Sequence, residues 1–128
     1  LLAVVGAAAP AGEALALAGF SFGAFVVAQA VARLHPGAEP PHALAREIAH
    51  LVLAGIAVTR FDAAPIPADL HERTLVVHGE LDETVPLAGV LDWARPQSLP
   101  VTVLPGGEHF FHGQLPLLKT LVERHVRD

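Results

Sequence analysis

Only two serines occur in the 128 residues, Ser21 and Ser98, and there is no cysteine and no tyrosine. The choice of nucleophile is therefore narrow. Ser98 sits between Gln97 and Leu99 in a polar connector. Ser21 sits in Gly19-Phe20-Ser21-Phe22-Gly23, between a short apolar run, Ala14 to Ala18, and a longer apolar run that lacks glycine. A G-x-S-x-G pattern between strand and helix is a nucleophile elbow. The turn is tight enough to strain the serine backbone and to press strand against helix, so residues without a Cβ suit both sides of it. It lifts a hydroxyl above the sheet at a helix N-terminus, where backbone N–H groups point at developing negative charge.

Such a hydroxyl is a weak nucleophile until a base takes its proton. An imidazole can take that proton near neutral pH and return it to a leaving group. A carboxylate must then hold the ring in one tautomer and stabilise its charged form. Among the eight histidines, His109 lies in the glycine-flanked loop 105–113 and is the candidate base. Asp82, in the loop after the third apolar run, and Asp62, after the second, are the candidate acids. Asp62 also reads as a loop carboxylate that caps a turn. The backbone N–H of Phe22, next after the serine, is the expected oxyanion donor.

Other residues nearby carry milder readings. Phe20 and Phe110 flank the proposed site and are candidates for an apolar acyl or ring pocket, whereas Phe25 reads as core. His78, at a strand end, reads as a satisfied structural histidine. His112 reads as a loop residue, and Glu80, Glu83 and Glu108 as solvated. His35, His42, His50, His71 and His125 are expected at the surface. His109 and His112 stand three apart, but a zinc site needs three or four ligands at defined spacing, and no H-E-x-x-H occurs. No metal and no cofactor is expected.

A common platform is needed to bring these residues together. Ala14 to Ala18, Leu51 to Val58, Arg73 to His78 and Val101 to Leu104 read as strands. Phe22 to Leu34 reads as a helix stopped by His35-Pro36-Gly37. Pro86 to Ala94, with proline in its first turn and a stripe of Leu87, Val90, Leu91 and Trp93, and Pro116 to Val126 read as two more. Leu1 to Ala9 reads as the end of a helix, His42 to His50 as one or two helical turns, and Thr59 to Glu72 as loop. Nearly all-apolar strands alternating with helices predict an α/β fold, with a parallel sheet of about four strands and flanking helices in one domain spanning 1–128. In open parallel sheets, function gathers beyond the carboxyl ends of the strands. That rule selects the loops 19–23, 79–84 and 106–113, which hold Ser21, Asp82 and His109.

Composition narrows the partners. A net charge of −5 argues against nucleic acid. The absence of cysteine excludes disulfide frameworks, thiol catalysis and thiolate metal sites. Ala14 to Ala32 carries no charge over 19 positions, which by hydropathy alone suggests a membrane span. The internal Gly-Phe-Ser-Phe-Gly, Gln29 and the lack of basic anchors ahead of it favour a buried strand-turn-helix instead. No basic segment marks a signal peptide. A cytoplasmic location is expected, with the true N-terminus upstream of Leu1.

Three segments together resemble a known family. Leu-Ala-Gly-Phe-Ser-Phe-Gly-Ala-Phe (17–25), Leu-Val-Val-His-Gly-Glu-Leu-Asp-Glu-Thr-Val-Pro (75–86) and Pro-Gly-Gly-Glu-His-Phe-Phe-His-Gly (105–113) are similar to segments of the α/β-hydrolase superfamily. Within it they resemble the small bacterial hydrolases related to dienelactone hydrolase. The order serine, acid, histidine is the one used on that scaffold. The resemblance implies that H-G-x-x-D-x-x-V-P supplies the acid, which favours Asp82 over Asp62, and that G-x-x-H-F-F supplies the base. It also implies that the chain corresponds to strands five to eight of an eight-stranded fold. Four further strands, and a second oxyanion donor from the loop after strand three, are then expected upstream.

The implied activity is that of a serine hydrolase acting on a small ester-like substrate. The rival expectation is a hydrolase-like domain that is inert or serves as an interaction module. In it, the first strand lies at an apolar edge open to pairing with another chain.

Overall fold

Four apolar stretches pair side by side into one all-parallel sheet: β1 (Leu15–Phe20), β2 (Ile48–Ala54), β3 (Thr74–Gly79) and β4 (Thr102–Leu104), in the order β1-β2-β3-β4. The computed structural model describes residues 13–38 and 47–127. Three helices flank the sheet, α1 (Phe22–Leu34), α2 (Leu87–Ala94) and α3 (Leu115–Arg127). The α/β architecture expected from the alternation of apolar runs is present.

The period-two alternation of strands decides which face each residue serves. Leu51, Leu53 and Val76 turn to one face and join a core with Val27, Val31 and Leu34 of α1 and Val90 of α2. Ala54, Val77 and Leu104 turn to the other, where they meet Phe111 and the partly buried Leu118 and Leu121 of α3. Burying a leucine or valine in this way contributes about 1.5–3 kcal/mol. The two layers therefore explain why β2 and β3 carry apolar residues on both faces. β1 is different. Among the described residues it pairs with β2 alone, in the register Gly19↔Leu53 and Phe20↔Ala54, and Ala16, Ala18 and Phe20 are exposed.

Several boundaries depart from the sequence reading. β2 starts at Ile48, so Ile48 to His50 is strand rather than helical turn. It ends at Ala54 because Gly55 takes φ +57°. Ile56 and Ala57 stay buried although they have left the sheet. The segment read as loop from Thr59 to Glu72 holds a 3-10 helix, Ala68–Arg73, anchored by the buried Leu70. The expected helix over Leu1 to Ala9 lies outside the described residues, as does His42.

The surface histidines also differ from expectation. His35 is half-buried and sits 2.9 Å from Asp69. His71 pairs with the carbonyl of Ile66 at 2.9 Å. His50 and His125 meet with ring centroids 5.3 Å apart. Among the described residues, no helix is long and apolar enough to cross a membrane.

Candidate active site

The site is assembled from the carboxyl ends of β1 and β3 and the loop after β4. Ser21 is the single residue between β1 and α1, and it holds φ 55° and ψ −116°. A non-glycine residue in such a conformation costs on the order of 1–3 kcal/mol, which the surroundings must impose. They do so through both backbone groups. Ser21 N–H donates to Ala54 O at 2.8 Å, and Ser21 O accepts from Phe25 and Ala57, each at 3.3 Å.

Strand and helix can meet this closely because Gly19 has no side chain. A Cβ there would lie 2.6 Å from the Ala24 nitrogen and against the Gly23 carbonyl. The same argument fails for Gly23. A Cβ at Gly23 would meet nothing within 4 Å among the described residues. The expected crowding therefore falls on one side of the elbow only. Phe22 opens α1, so its N–H has no helical partner, and none of the described residues accepts from it.

His109 reaches Ser21 because two loops are tied together. Leu81 N–H donates to Gly107 O at 2.8 Å and Glu80 N–H to Leu104 O at 3.0 Å. Gly106 N–H donates to the Glu80 carboxylate at 2.8 Å, so Glu80, exposed as expected, also ties the two loops. Gly79 lets the loops touch: a Cβ there would lie 2.6 Å from Gly107 O. Phe111, next after Phe110, is 2% exposed and anchors the loop in the α3-side core.

The resulting geometry is continuous. His109 Nδ1–H donates to Asp82 Oδ2 at 2.7 Å, and Ser21 Oγ–H donates to His109 Nε2 at 3.1 Å. This assignment follows from the carboxylate, which can only accept. Asp82 and His109 are both buried, each 5% exposed. The second oxygen, Asp82 Oδ1, accepts from Thr84 N–H at 2.8 Å and Val85 N–H at 2.7 Å. Buried charge is tolerated where donors satisfy it in this manner. Asp62, the alternative acid, is exposed in the segment after β2 and is not a partner of His109.

His78 departs from its reading as a satisfied histidine. Its Nε2–H donates to Val85 O at 2.6 Å and lies 3.3 Å from Asp82 Oδ2, but Nδ1 is buried without a partner among the described residues. An unpaired buried polar atom of this kind costs about 1–3 kcal/mol.

Aromatic rings flank His109. Phe20 and Phe110 stand against the His109 ring with centroids 5.0 and 5.1 Å away. Both are exposed, at 42% and 56%. A cleft of about 370 Å³ opens beside His109, lined by Leu81, Glu83, Thr84, Gly106, Glu108, His109 and Phe110. On the other side Phe61 stacks on Phe25 and meets Phe22, at 4.9 and 5.2 Å. Phe61 was not foreseen. The segment after β2 has no periodicity that would bring it back to α1.

Glu108 caps its own loop, accepting from His112 N–H at 2.6 Å and Phe110 N–H at 3.2 Å. These bonds, the one from His112 first, hold its carboxyl below the ordinary carboxylate range. His112 is exposed beside it. Ser98, the other serine, takes φ 54° at the end of a short 3-10 turn and is exposed. A larger cleft, about 640 Å³, lies at the amino end of the sheet between His35, Asp69 and Arg73, and none of the residues above lines it.

Comparison with solved structures finds close folds. An α/β serine hydrolase without lid from Xanthomonas campestris matches with 33% identity and a TM-score of 0.68, over 90% of this chain and 47% of that one. An α/β serine hydrolase homologue from Coxiella burnetii matches with 30% identity and a TM-score of 0.61, over 90% and 49%. A protein of unknown function from Agrobacterium tumefaciens, at 23% identity and a TM-score of 0.72 over 98% and 55%, shares the fold. The chain spans about half the length of these structures. No protein-family model matches it, and no curated protein does.

Proposed function

The chain belongs to the α/β-hydrolase superfamily, and on that premise we propose that it is a serine hydrolase of carboxylic esters or related acyl bonds, of the kind related to dienelactone hydrolase. The observation that carries this reading is the unbroken run of hydrogen bonds from Ser21 through His109 to Asp82, at 3.1 and 2.7 Å.

In the proposed reaction Ser21 Oγ attacks the acyl carbon while its proton passes to His109 Nε2. The carbonyl π pair moves onto oxygen, and the oxyanion faces the Phe22 N–H at the start of α1. Collapse of the tetrahedral intermediate breaks the bond to the leaving group. That group takes the proton from His109 Nε2, and the acyl group stays on Ser21. Water then gives a proton to the same nitrogen, attacks the acyl carbon, and the second collapse returns the proton to Ser21. Asp82 keeps its charge throughout. It holds the ring and stabilises the imidazolium without accepting its proton. Phe20 and Phe110, both exposed beside His109, support an apolar acyl or ring group on the substrate.

The test is turnover of an activated ester by the complete protein. Ser21→Ala should reduce it to the uncatalysed background. Turnover retained in that variant overturns the assignment.

A second reading is favoured by the place of β1. It lies at the edge of the sheet among the described residues, with Ala16, Ala18 and Phe20 exposed. In that reading the chain is inert as an enzyme and pairs through the edge with a further strand. Sizing chromatography separates the two. Oligomers without ester turnover support the interaction module, and a monomer with a single cooperative melt counts against it.

A further inference from the structure

His78 is used in none of the steps above, yet it touches the acid. It is the penultimate residue of β3 and its side chain is wholly buried. A backbone carbonyl can only accept, so the 2.6 Å bond to Val85 O puts a proton on Nε2. The neutral ring then carries its lone pair on Nδ1, the nitrogen without a partner among the described residues. The positive end of the Nε2–H bond therefore points to Val85 O, with Asp82 Oδ2 3.3 Å away.

We infer that His78 is a positioning residue for Asp82, holding through Val85 the turn that grips the carboxylate so that Oδ2 meets His109 in one orientation. Nε2 lies 3.3 Å from Oδ2, but its proton is given to Val85 O, so this approach is a packing contact. The grip on Oδ1 runs through Val85, whose carbonyl is held by His78 and whose N–H donates to Oδ1 at 2.7 Å. An apolar side chain of similar bulk would fill the space without stranding a nitrogen. What the imidazole adds is an N–H at this spot. The functional consequence rests on the hydrolase reading; the geometry does not.

The variants His78→Gln, His78→Asn and His78→Leu separate the donor from the bulk. Glutamine carries an amide N–H about as far out as Nε2, whereas asparagine stops short of it. Two readouts are taken on each. One is the downfield proton of His109 Nδ1 in nitrogen-15 NMR, identified by its loss in Asp82→Asn. The other is the rate at which a fluorophosphonate labels Ser21. The downfield proton should persist in His78→Gln and vanish or move upfield in His78→Asn and His78→Leu. Labelling should slow by about tenfold to 10²-fold in the latter two and recover to within about threefold of the parent in His78→Gln.

A folded His78→Asn or His78→Leu with the parental proton signal and labelling rate overturns the inference. Equal losses in His78→Gln and His78→Asn overturn it as well, since shape alone would then matter. Where His78→Leu does not fold, the glutamine–asparagine pair decides. If the parent itself takes no label, the hydrolase reading fails, and the His109 proton still decides the role of His78.

Discussion

His109 Nε2 stands 3.1 Å from Ser21 Oγ across 88 residues of sequence. No local propensity brings these atoms together. Three approaches of backbone to backbone do: Gly19 against Gly23 and Ala24, Gly79 against Gly107 and Glu108, and the parallel pairing of β1, β2, β3 and β4 that puts all the carboxyl ends on one side of the sheet.

Replacing Asp82 with asparagine keeps an oxygen for the Thr84 and Val85 N–H groups but disturbs the tautomer of His109. Ester turnover should fall by about 10⁴-fold while the melting temperature changes little. Parallel kinetics and thermal melts check this. A variant that loses stability in proportion to activity would point to a structural carboxylate.

Gly79→Ala places a methyl 2.6 Å from Gly107 O and 2.8 Å from Glu108 O. Both contacts are backbone, so the His109 loop has to move. Overpacking of this kind costs about 1–3 kcal/mol. The denaturant midpoint should fall, and Ser21 labelling should slow more than the stability loss explains.

Phe111 anchors the same loop from the other side of the sheet, among Ala54, Val77 and Leu104. Phe111→Ala should cost about 3–5 kcal/mol, read from denaturant unfolding. Phe111→Leu should cost less, because it keeps most of the buried volume.

Glu108 gives a pH dependence with a definite sign. Its carboxyl is held below its ordinary value of 4.5, chiefly by the His112 N–H. A lowered folded-state pKa means that its contribution to stability is present above that ordinary value and is lost as the pH falls through the lower one. The destabilisation caused by Glu108→Ala should therefore be full at neutral pH and shrink toward zero in acid. Thermal melts of both proteins across that range check it, and a difference that grows on acidification would refute it.

Much of the fold was legible because its signals are local. The α1 helix begins and ends where Phe22 and Leu34 were read, since Ser21 and the His35-Pro36-Gly37 stop frame it in sequence. Strand limits were less legible. Ile56 and Ala57 are as apolar as β2 itself, and only the positive φ of Gly55 takes them out of the sheet. Ser21, Asp82 and His109 could be named because each follows a strand and the loops beyond strand ends share one side of a parallel sheet.

What stayed hidden depends on side-chain packing between distant segments. Phe61 returns to Phe22 and Phe25 through a loop with no periodic pattern. His78 is four residues before Asp82, a spacing visible in the sequence. Which nitrogen meets Val85 and which is left unpaired depends on how the turn after β3 folds back. Gly23 shows the opposite error, where a motif position suggested crowding and no described residue comes within 4 Å of an added Cβ.

The most direct test of the triad is fluorophosphonate labelling of the complete protein and of its Ser21→Ala variant, read residue by residue in the mass spectrometer. The account expects one label, on Ser21, in the parent alone. A folded parent that takes no label, or a Ser21→Ala chain that is labelled as readily as the parent, would contradict it.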